Sequence, residues 1–248
     1  MKFKTMKTPL SVEEIASLKA SAVFLEKQKR GKPAQFSVRF LVVGGKVSAD
    51  DLRSAAALAK RYGDGTVHLT TRQGFEIPHV PYGKLDAFRK AAAEAGLKQA
   101  LSGPCVRSIT ACPGTWCRFG SIDTQAIAQM IFRKFGKRGN LPHKFKIAVG
   151  GCRHCCSKPQ ENDLGVMGSG GCFILFAGGM AGKTPRWGDK LPAVIKTKKE
   201  LLETIGHVIA WYSACGNPKE RFGATIERAG LENLLRYLAE RQNVSAGQ

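Results

Sequence analysis

Two close pairs of cysteines are the residues of this chain best suited to metal chemistry. Four residues separate Cys112 from Cys117, three separate Cys152 from Cys156, and each pair lies in or next to a turn rich in Gly or Pro. Four thiolates that converge can hold either a tetrahedral zinc ion or an iron-sulfur cluster. Zinc ribbons usually place two residues between paired cysteines, so these wider gaps favour an iron-sulfur cluster and leave zinc as the alternative.

The cysteine count also bears on the compartment. The chain contains eight cysteines, and its Lys-rich start is not followed by the apolar segment of an export signal. Clustered cysteines without an export signal are better interpreted as reduced metal ligands than as disulfides. No apolar run approaches the roughly 18 to 20 residues that a membrane span needs. We therefore expect a cytoplasmic protein with no membrane partner.

Charge narrows the class of partner. The chain carries 39 Lys and Arg against 19 Asp and Glu, a net charge of +20, which is enough to attract anions over a distance. Nucleic acid is the usual partner of such a charge, but no helix-turn-helix, RRM or KH signature is present and aromatic residues do not alternate with the basic ones. We therefore expect no nucleic-acid partner. The possible partners that remain are an anionic substrate, a polycarboxylate cofactor or an acidic protein.

The elements that must position the cysteines fall into two predicted domains, 1–103 and 104–248, divided at Gly103-Pro104. The first is predicted to be a small α+β layer, with a capping box at Ser48 that starts a helix with Leu52, Ala56 and Ala59 on one face. Its predicted elements are helices over 11–29, 48–62 and 85–95 and strands over 36–43, 67–71 and 75–80. The second has predicted strands over 106–110, 144–149, 163–167 and 172–177, helices from 124 and 197, and a basic loop over 178–190.

Lysines alternate with apolar residues just before the second cysteine pair. Lys144 and Lys146 flank Phe145 and precede Ile147, so on a strand both ammonium groups lie on one face and the apolar side chains on the other. Taken alone, this pattern fits an ordinary strand with one solvated face as well as it fits an anion-binding site.

An ordered set of motifs then carries a family resemblance over nearly the whole chain. The motifs resemble those of the siroheme and 4Fe–4S sulfite and nitrite reductases. They are Leu69-Thr-Thr-Arg-Gln73, Cys112-Pro-Gly-Thr-Trp-Cys-Arg-Phe-Gly120, Leu141-Pro-His-Lys-Phe-Lys146, Cys152 to Cys156, Asn162-Asp-Leu-Gly165 and Glu220-Arg-Phe-Gly223.

The resemblance implies a fold and a ligand set. The implied fold is α+β, with a ferredoxin-like N-terminal lobe packed on a C-terminal α/β lobe that binds siroheme and a 4Fe–4S cluster. Cys112, Cys117 and Cys152 correspond to cluster ligands, and Cys156 to the ligand that also bridges to the siroheme iron. The first pair of the family usually encloses five residues rather than four, which leaves Cys105 as a substitute ligand. Cys155 stands where the family often has Asn.

The resemblance also implies roles for basic residues. Lys144, Lys146 and Arg72 correspond to residues that reach the distal face of the siroheme, where the anion is reduced, and Arg39 to a further one on the first strand. The carboxylates of siroheme suit basic partners. Besides Cys156, the residues predicted to bind the cofactors are Arg107, Arg118, Arg153, Asn162, Lys183 and Arg186.

The implied function is the six-electron reduction of sulfite to sulfide, with nitrite reduction to ammonia as the alternative on a similar small oxyanion. A non-catalytic iron-sulfur electron-transfer subunit and a zinc-dependent nucleic-acid binder are the alternatives from other classes. No flavin domain and no further ferredoxin-type cysteine run are visible, so a separate donor protein such as a ferredoxin is expected. Larger members carry two copies of the lobe pair; the single copy here implies a homodimer, with Arg72, Lys144 and Lys146 of one subunit facing the siroheme on Cys156 of the other.

Overall fold

The computed structural model describes residues 10–27, 33–136 and 138–246. The chain forms two compact units, Met1–Gly103 and Pro104–Gln248. Each unit combines a β-sheet with α-helices, and the fold is α+β.

The first unit is built on an antiparallel sheet. Its elements are α1 Val12–Ala20, β1 Val23–Leu25, β2 Gln35–Arg39, α2 Ala49–Tyr62, β3 His68–Leu69, β4 Phe75–Pro81 and α3 Leu85–Glu94. The four strands are arranged in the order β1-β2-β4-β3, and every neighbouring pair is antiparallel. Alternate residues of β2 and β4 are buried against α2 and α3, as expected of a sheet with one covered face.

Local sequence signals explain α2 well. The hydroxyl of Ser48 accepts a hydrogen bond from the N–H of Asp51, and the Asp51 carboxylate accepts one from the N–H of Ser48, so the predicted capping box is present. The predicted apolar face is only partly buried: Ala59 is buried, but Leu52 is 44% exposed and Ala56 is also exposed. The buried residues are Ala55, Leu58, Ala59 and Tyr62, which follow the helical period from a different starting point.

The predicted helix over 11–29 is shorter than expected. It ends at Ala20, and Ala22 has a φ of 55°, a left-handed conformation that a helix cannot continue through. The chain then enters β1, which pairs with β2 and was not predicted. Residues 28 and 29 lie outside the described residues.

The second unit contains a mixed sheet. Its elements are β5 Thr110–Ala111, α4 Thr124–Phe135, β6 Ile147–Gly150, β7 Leu164–Ser169, β8 Cys172–Ala177, β9 Asp189–Ile195, α5 Lys198–Cys215, α6 Phe222–Ala229 and α7 Leu231–Ala246. The five strands are arranged in the order β5-β6-β7-β8-β9. Strands β5, β6 and β7 are parallel, whereas β8 and β9 each run antiparallel to the preceding strand.

The core of the second unit is dense and aromatic. All four residues of β6 are buried, as is typical of a parallel strand covered on both faces. Phe145, Tyr212 and Phe222 form a cluster with ring centroids 5.3 to 5.6 Å apart. Trp211 meets the ring of Phe222 edge-on. This cluster ties α5 and α6 to the segment that leads into β6.

No helix among the described residues is both long and apolar enough to span a membrane.

Candidate functional site

The first cysteine pair lies in a tight loop that leaves the end of β5. Cys112 follows β5 directly, and its carbonyl accepts hydrogen bonds from the side chains of Thr124 and Gln125 at the start of α4. The N–H of Cys117 donates to the carbonyl of Gly114 at 2.9 Å. Gly114 has a φ of 63°, and a Cβ there would lie 2.4 Å from the Thr124 hydroxyl, so only glycine fits. The loop therefore has one compact path between β5 and α4.

The second cysteine pair lies in a loop that leaves the end of β6. The N–H of Cys155 donates to the carbonyl of Cys152 at 3.1 Å, and the hydroxyl of Ser157 donates to the carbonyl of Val149 at 2.8 Å. Cys155 has a φ of 53°. Few residues other than Gly, Asn and Asp adopt this left-handed conformation readily.

The two cysteine loops contact each other. Because β5 and β6 are neighbouring parallel strands, their carboxyl ends lie at the same edge of the sheet. The N–H of Gly151 donates to the sulfur of Cys112 at 3.0 Å, and the hydroxyl of Ser121 donates to the carbonyl of Gly151 at 2.9 Å. The rings of Phe119 and His154, one from each loop, lie 5.0 Å apart. The fold thus brings the two predicted ligand pairs together.

The chemistry of these cysteines fits an iron-sulfur cluster. Cys117 and Cys156 are exposed, Cys112 and Cys152 are partly buried, and all four are free thiols. An N–H directed at a cysteine sulfur, as from Gly151 to Cys112, is the kind of contact that tunes ligand sulfurs in such centres. Within the described residues no three metal-binding side chains are gathered at ligating distance. The two loops are therefore adjacent, as a cluster shared between them would require.

The remaining cysteines nearby are placed differently. Cys105 precedes Val106, which pairs with Phe145 at the amino end of the strands. Cys105 lies beside Phe145, whereas Cys112 lies beside the end of β6 near Gly150. These two levels are five positions apart, roughly 16 Å of extended chain, so Cys105 is too far from Cys112 to replace it as a ligand. The sulfur of Cys155 lies 3.1 Å from the side-chain nitrogen of Gln160 and 3.5 Å from the sulfur of Met167. These contacts favour the interpretation that Cys155 is not a ligand.

The lysine segment that leads into β6 has the predicted alternation. Phe145 and Ile147 are fully buried, whereas Lys144 and Lys146 are half-buried. The regular strand begins only at Ile147, although Phe145 already forms a bridge to Val106. Both lysines thus lie on the side opposite the aromatic core, in a segment held on its other side by buried contacts.

A buried ion pair fixes this lysine segment and was not anticipated from the sequence. Asp163 is fully buried, and Arg221 binds both of its carboxylate oxygens at 2.9 Å. The same carboxylate accepts a hydrogen bond from the N–H of Lys146 at 2.8 Å. Burial raises the pKa of the Asp163 carboxyl, while the guanidinium of Arg221 and the N–H of Lys146 oppose that rise. One carboxylate thereby connects three of the sequence motifs.

His143 lies in a strongly positive environment. Burial lowers the pKa of His143, and the neighbouring charges of Lys144, Arg221 and Arg107 lower it further. Its Nδ1 accepts the N–H of Lys144 at 2.9 Å. The ring is therefore neutral near pH 7, and the positive charge here comes from the Lys and Arg side chains.

The two predicted anion-binding arginines of the first unit lie at strand ends, one at the end of β2 and one between β3 and β4. Arg72 is half-buried in the turn between β3 and β4, which is closed by a 2.8 Å hydrogen bond from the N–H of Thr70 to the carbonyl of Gly74. Arg39 is the last residue of β2, and its Nε and Nη2 donate to one oxygen of Glu76 at 2.9 and 2.7 Å. Its guanidinium also lies over the ring of Phe24, 4.7 Å from the centroid.

Three of the predicted cofactor-binding cations are exposed. Arg118 and Arg153 are exposed next to Cys117 and Cys152, and Arg118 lies over the ring of Phe119. Lys183 is exposed in the loop between β8 and β9, and Arg107 is half-buried. These positions leave Arg118, Arg153 and Lys183 able to reach an anionic group.

Two of the predicted cofactor-binding residues make extensive contacts within the protein. All three guanidinium nitrogens of Arg186 bind the protein itself: Nη2 pairs with Asp189, Nε pairs with Glu227, and Nη1 donates to the carbonyls of Gly178 and Trp187. Asn162 is buried, and its amide donates to the carbonyl of Lys158 at 2.9 Å. Their contacts give no support to the cofactor role, because their polar groups already stabilise the loops around β7 and β8.

Comparisons of the sequence with family models cover most of the chain. Residues 102–245 match the model of the nitrite and sulphite reductase 4Fe-4S domain. Residues 28–95 match the model of the nitrite/sulfite reductase ferredoxin-like half domain.

Similar proteins include both nitrite and sulfite reductases. The chain is 33% identical over 205 residues to a nitrite reductase [NAD(P)H] of Bacillus subtilis (strain 168), a match that covers 82% of this chain and 25% of that protein. It is 32% identical over 129 residues to an assimilatory-type sulfite reductase of Nitratidesulfovibrio vulgaris, covering 52% of this chain and 58% of that one. This chain thus spans less than two thirds of the length of either relative.

A solved structure shares the fold. The Mycobacterium tuberculosis NirA protein superposes with a TM-score of 0.80 at 17% sequence identity, covering 94% of this chain and 47% of that one.

Proposed function

Because this chain belongs to the nitrite and sulphite reductase family, we propose that it reduces a small oxyanion with six electrons. Sulfite would take up six electrons and seven protons to give hydrosulfide and three waters. Nitrite would take up six electrons and eight protons to give ammonium and two waters. We favour sulfite, because the overall motif pattern resembles the small sulfite reductases.

The contact between the two cysteine loops is the observation that supports this proposal most directly. It joins Cys112 to the peptide N–H immediately before Cys152, at the shared edge of two parallel strands. Siroheme and a 4Fe–4S cluster, the cofactors of this family, supply one-electron transfer and an iron that binds the anion. Cys112, Cys117, Cys152 and Cys156 would hold the cluster, with Cys156 shared with siroheme.

The lysines and arginines would bind and orient the anion. In the proposal, Lys144, Lys146, Arg72 and Arg39 hold it by charge-assisted hydrogen bonds in a partly desolvated site, where preorganised cations stabilise developing negative charge strongly. The two ammonium groups would also donate protons as oxygen leaves as water. The buried carboxylate of Asp163 would act on this chemistry only indirectly, by holding the backbone of Lys146.

The carboxylates of siroheme would be held by basic side chains. Arg118 and Arg153 are exposed beside the cysteines, and Arg107 and Lys183 add further positive charge to this unit. An exposed guanidinium can bind a carboxylate through two parallel hydrogen bonds, which orients as well as attracts it.

The proposal extends to partners. We propose that the six electrons come from a separate donor protein such as a ferredoxin. We propose a homodimer in which Arg72, Lys144 and Lys146 of one subunit serve the siroheme held by Cys156 of the other, since a two-fold contact creates two equivalent sites. The eight free cysteines favour a reducing compartment such as the cytoplasm.

A spectrum of anaerobically purified protein tests the proposal. We expect the absorption bands of siroheme together with the electron paramagnetic resonance signal of a reduced 4Fe–4S cluster. Turnover with dithionite and a viologen dye should then consume sulfite or nitrite, and product analysis for sulfide and ammonium distinguishes the two. A colourless protein that contains zinc and cannot be reconstituted with iron, sulfide and siroheme would exclude this function.

A further inference from the structure

Three charged or ionisable side chains form one row across the sheet of the first unit. Arg39 on β2 and His68 on β3 are both paired with Glu76 on β4, so the three are cross-strand neighbours. One oxygen of the Glu76 carboxylate accepts from Nε and Nη2 of Arg39, and the other lies 2.8 Å from Nδ1 of His68. Glu76 is only 12% exposed, so both of its oxygens are held by neighbours within the sheet.

This row fixes the orientation of Arg39. Glu76 occupies the guanidinium edge formed by Nε and Nη2, and the ring of Phe24 lies 4.7 Å away, so the plane is held from two directions. The other fork of the guanidinium, formed by Nη1 and Nη2, is turned away from Glu76. A fork of this shape matches two oxygens of an oxyanion. Without the carboxylate the long, partly exposed side chain would sample several rotamers.

Glu76 is charged in this arrangement. Burial acts to raise the pKa of Glu76, but hydrogen bonds from His68 and Arg39 outweigh it, and the pKa is lowered. A carboxylate oxygen is an acceptor only, so His68 donates its Nδ1–H to Glu76. His68 therefore restrains the carboxylate from the side opposite to Arg39.

From this geometry we infer that Glu76 and His68 are positioning residues, which hold the guanidinium of Arg39 in the orientation that binds the oxyanion substrate. The inference rests on the proposed function, since it assigns Glu76 and His68 a role in the same anion reduction. Neither residue touches the anion. Their effect reaches it only through Arg39.

For Glu76→Gln, a positioning role and a purely electrostatic role predict opposite changes in anion binding. Glu76→Gln removes a negative charge beside Arg39, and by Coulomb attraction alone this strengthens anion binding. Loss of positioning instead weakens binding and slows reduction, because a displacement of about 1 Å in a preorganised site can cost on the order of 100-fold. The sign of the change therefore separates the two roles.

The test compares four holoproteins with the unmodified one: Arg39→Ala, Glu76→Gln, the double variant, and Glu26→Gln as the matched control. Glu26 is 17% exposed in the same unit and also holds a histidine, His79, at 2.8 Å. For each protein, kcat and KM are measured with the anion that the unmodified protein reduces, and the dissociation constants of sulfite and nitrite are measured by calorimetry. A crystal structure of Glu76→Gln reports the position of the Arg39 guanidinium.

We expect Glu76→Gln to lower kcat/KM by about 10- to 100-fold and to weaken anion binding, with the guanidinium displaced. The double variant should lose no more than Arg39→Ala alone, and Glu26→Gln should match the unmodified protein. His68→Ala should give a smaller loss in the same direction. Unchanged or tighter anion binding in Glu76→Gln, or losses that multiply in the double variant, would overturn the inference.

The two proposals fail in distinguishable ways. If the unmodified holoprotein reduces neither anion, the proposed function is wrong, and the dissociation constants then decide the positioning role by themselves. If the protein binds neither anion, both are wrong. Normal reduction with the guanidinium unmoved in Glu76→Gln would refute the positioning role alone.

Discussion

Replacing Asp163 by Ala should destabilise the second unit more than the loss of an exposed ion pair in that unit would. The carboxylate is fully buried, and its partner Arg221 has only 15% of its side chain exposed. Removing one member of a buried pair leaves the other charge without compensation, which typically costs about 3 to 5 kcal/mol. The N–H of Lys146 also loses its acceptor, which adds about 1 kcal/mol or more.

These terms give an expected loss of about 4 to 6 kcal/mol in the free energy of unfolding. Domains of this kind are stable by about 5 to 15 kcal/mol in total, so the variant should be close to unfolding. With a urea dependence of about 2 kcal/mol per molar, the midpoint of denaturation should fall by roughly 2 M or more. Fluorescence of the buried Trp211, which packs against Phe222 next to Arg221, reports the transition.

Asp189→Ala is the matched control. Asp189 also pairs with an arginine in the second unit, but 37% of its side chain is exposed, and its partner Arg186 keeps Glu227 and backbone carbonyls. The control should lose about 1 kcal/mol or less. Equal losses in the two variants would show that burial of the pair does not determine its contribution, and the reasoning would be wrong.

The pH dependence gives a second check on the same pair. In Arg221→Met the cation that opposes the raised pKa of Asp163 is gone, so the folded state should bind a proton at a higher pH than the unfolded chain does. Stability should therefore increase as the pH is lowered through the folded pKa, and decrease as the pH rises through it. Asp163→Ala has no carboxyl to titrate and should lack this component. Superimposable stability profiles for the two variants would contradict the assignment.

The remaining predictions concern the cofactors and the assembly. Cys156→Ser should abolish turnover and uncouple the signals of the two cofactors, whereas Cys155→Ser should keep both cofactors; identical spectra for the two variants would show that the ligand assignment is wrong. Lys144→Ala and Lys146→Ala should each lower kcat/KM by about 10- to 1,000-fold with the absorption spectrum unchanged, and normal kinetics would make these lysines ordinary surface residues. Mixing inactive Lys144→Ala/Lys146→Ala protein with inactive Cys156→Ser protein should restore activity through a heterodimer; no recovery after demonstrated subunit exchange would refute sites shared between subunits.

Local signals in the sequence predicted those elements that depend on local physics. The capping box at Ser48 and the alternation around Phe145 both appear in the structure, because each is decided by residues a few positions apart. The α+β class followed from the family resemblance and is confirmed by the shared fold. Strand β9 was not predicted, and its first two residues fall in the loop predicted over 178–190. The strand contains Pro192, which is tolerated because β9 lies at the edge of the sheet.

Other features could not be predicted because they depend on distant parts of the chain. Asp163 and Arg221 are 58 positions apart, and nothing in the residues near either indicates that the two meet. Arg186 was predicted to bind the cofactor because its charge suits the carboxylates of siroheme, and the sequence near it does not reveal its partners in the fold. Only the positions of Asp189 and Glu227 show that its charge is used within the protein.

In the proposed centre, the peptide N–H of Gly151 would affect the energy at which electrons enter. It donates to the sulfur of Cys112 at 3.0 Å, and a donor directed at a ligand sulfur favours the more negative, reduced form of a bound cluster, which shifts the reduction potential upwards. Because the donor is backbone, most substitutions nearby leave it unchanged. A side chain at position 151 is the exception, since its Cβ would lie 3.3 Å from the same sulfur and push against it. In the proposed enzyme, the glycine would thus link the spacing of the two loops to the driving force needed from the electron donor.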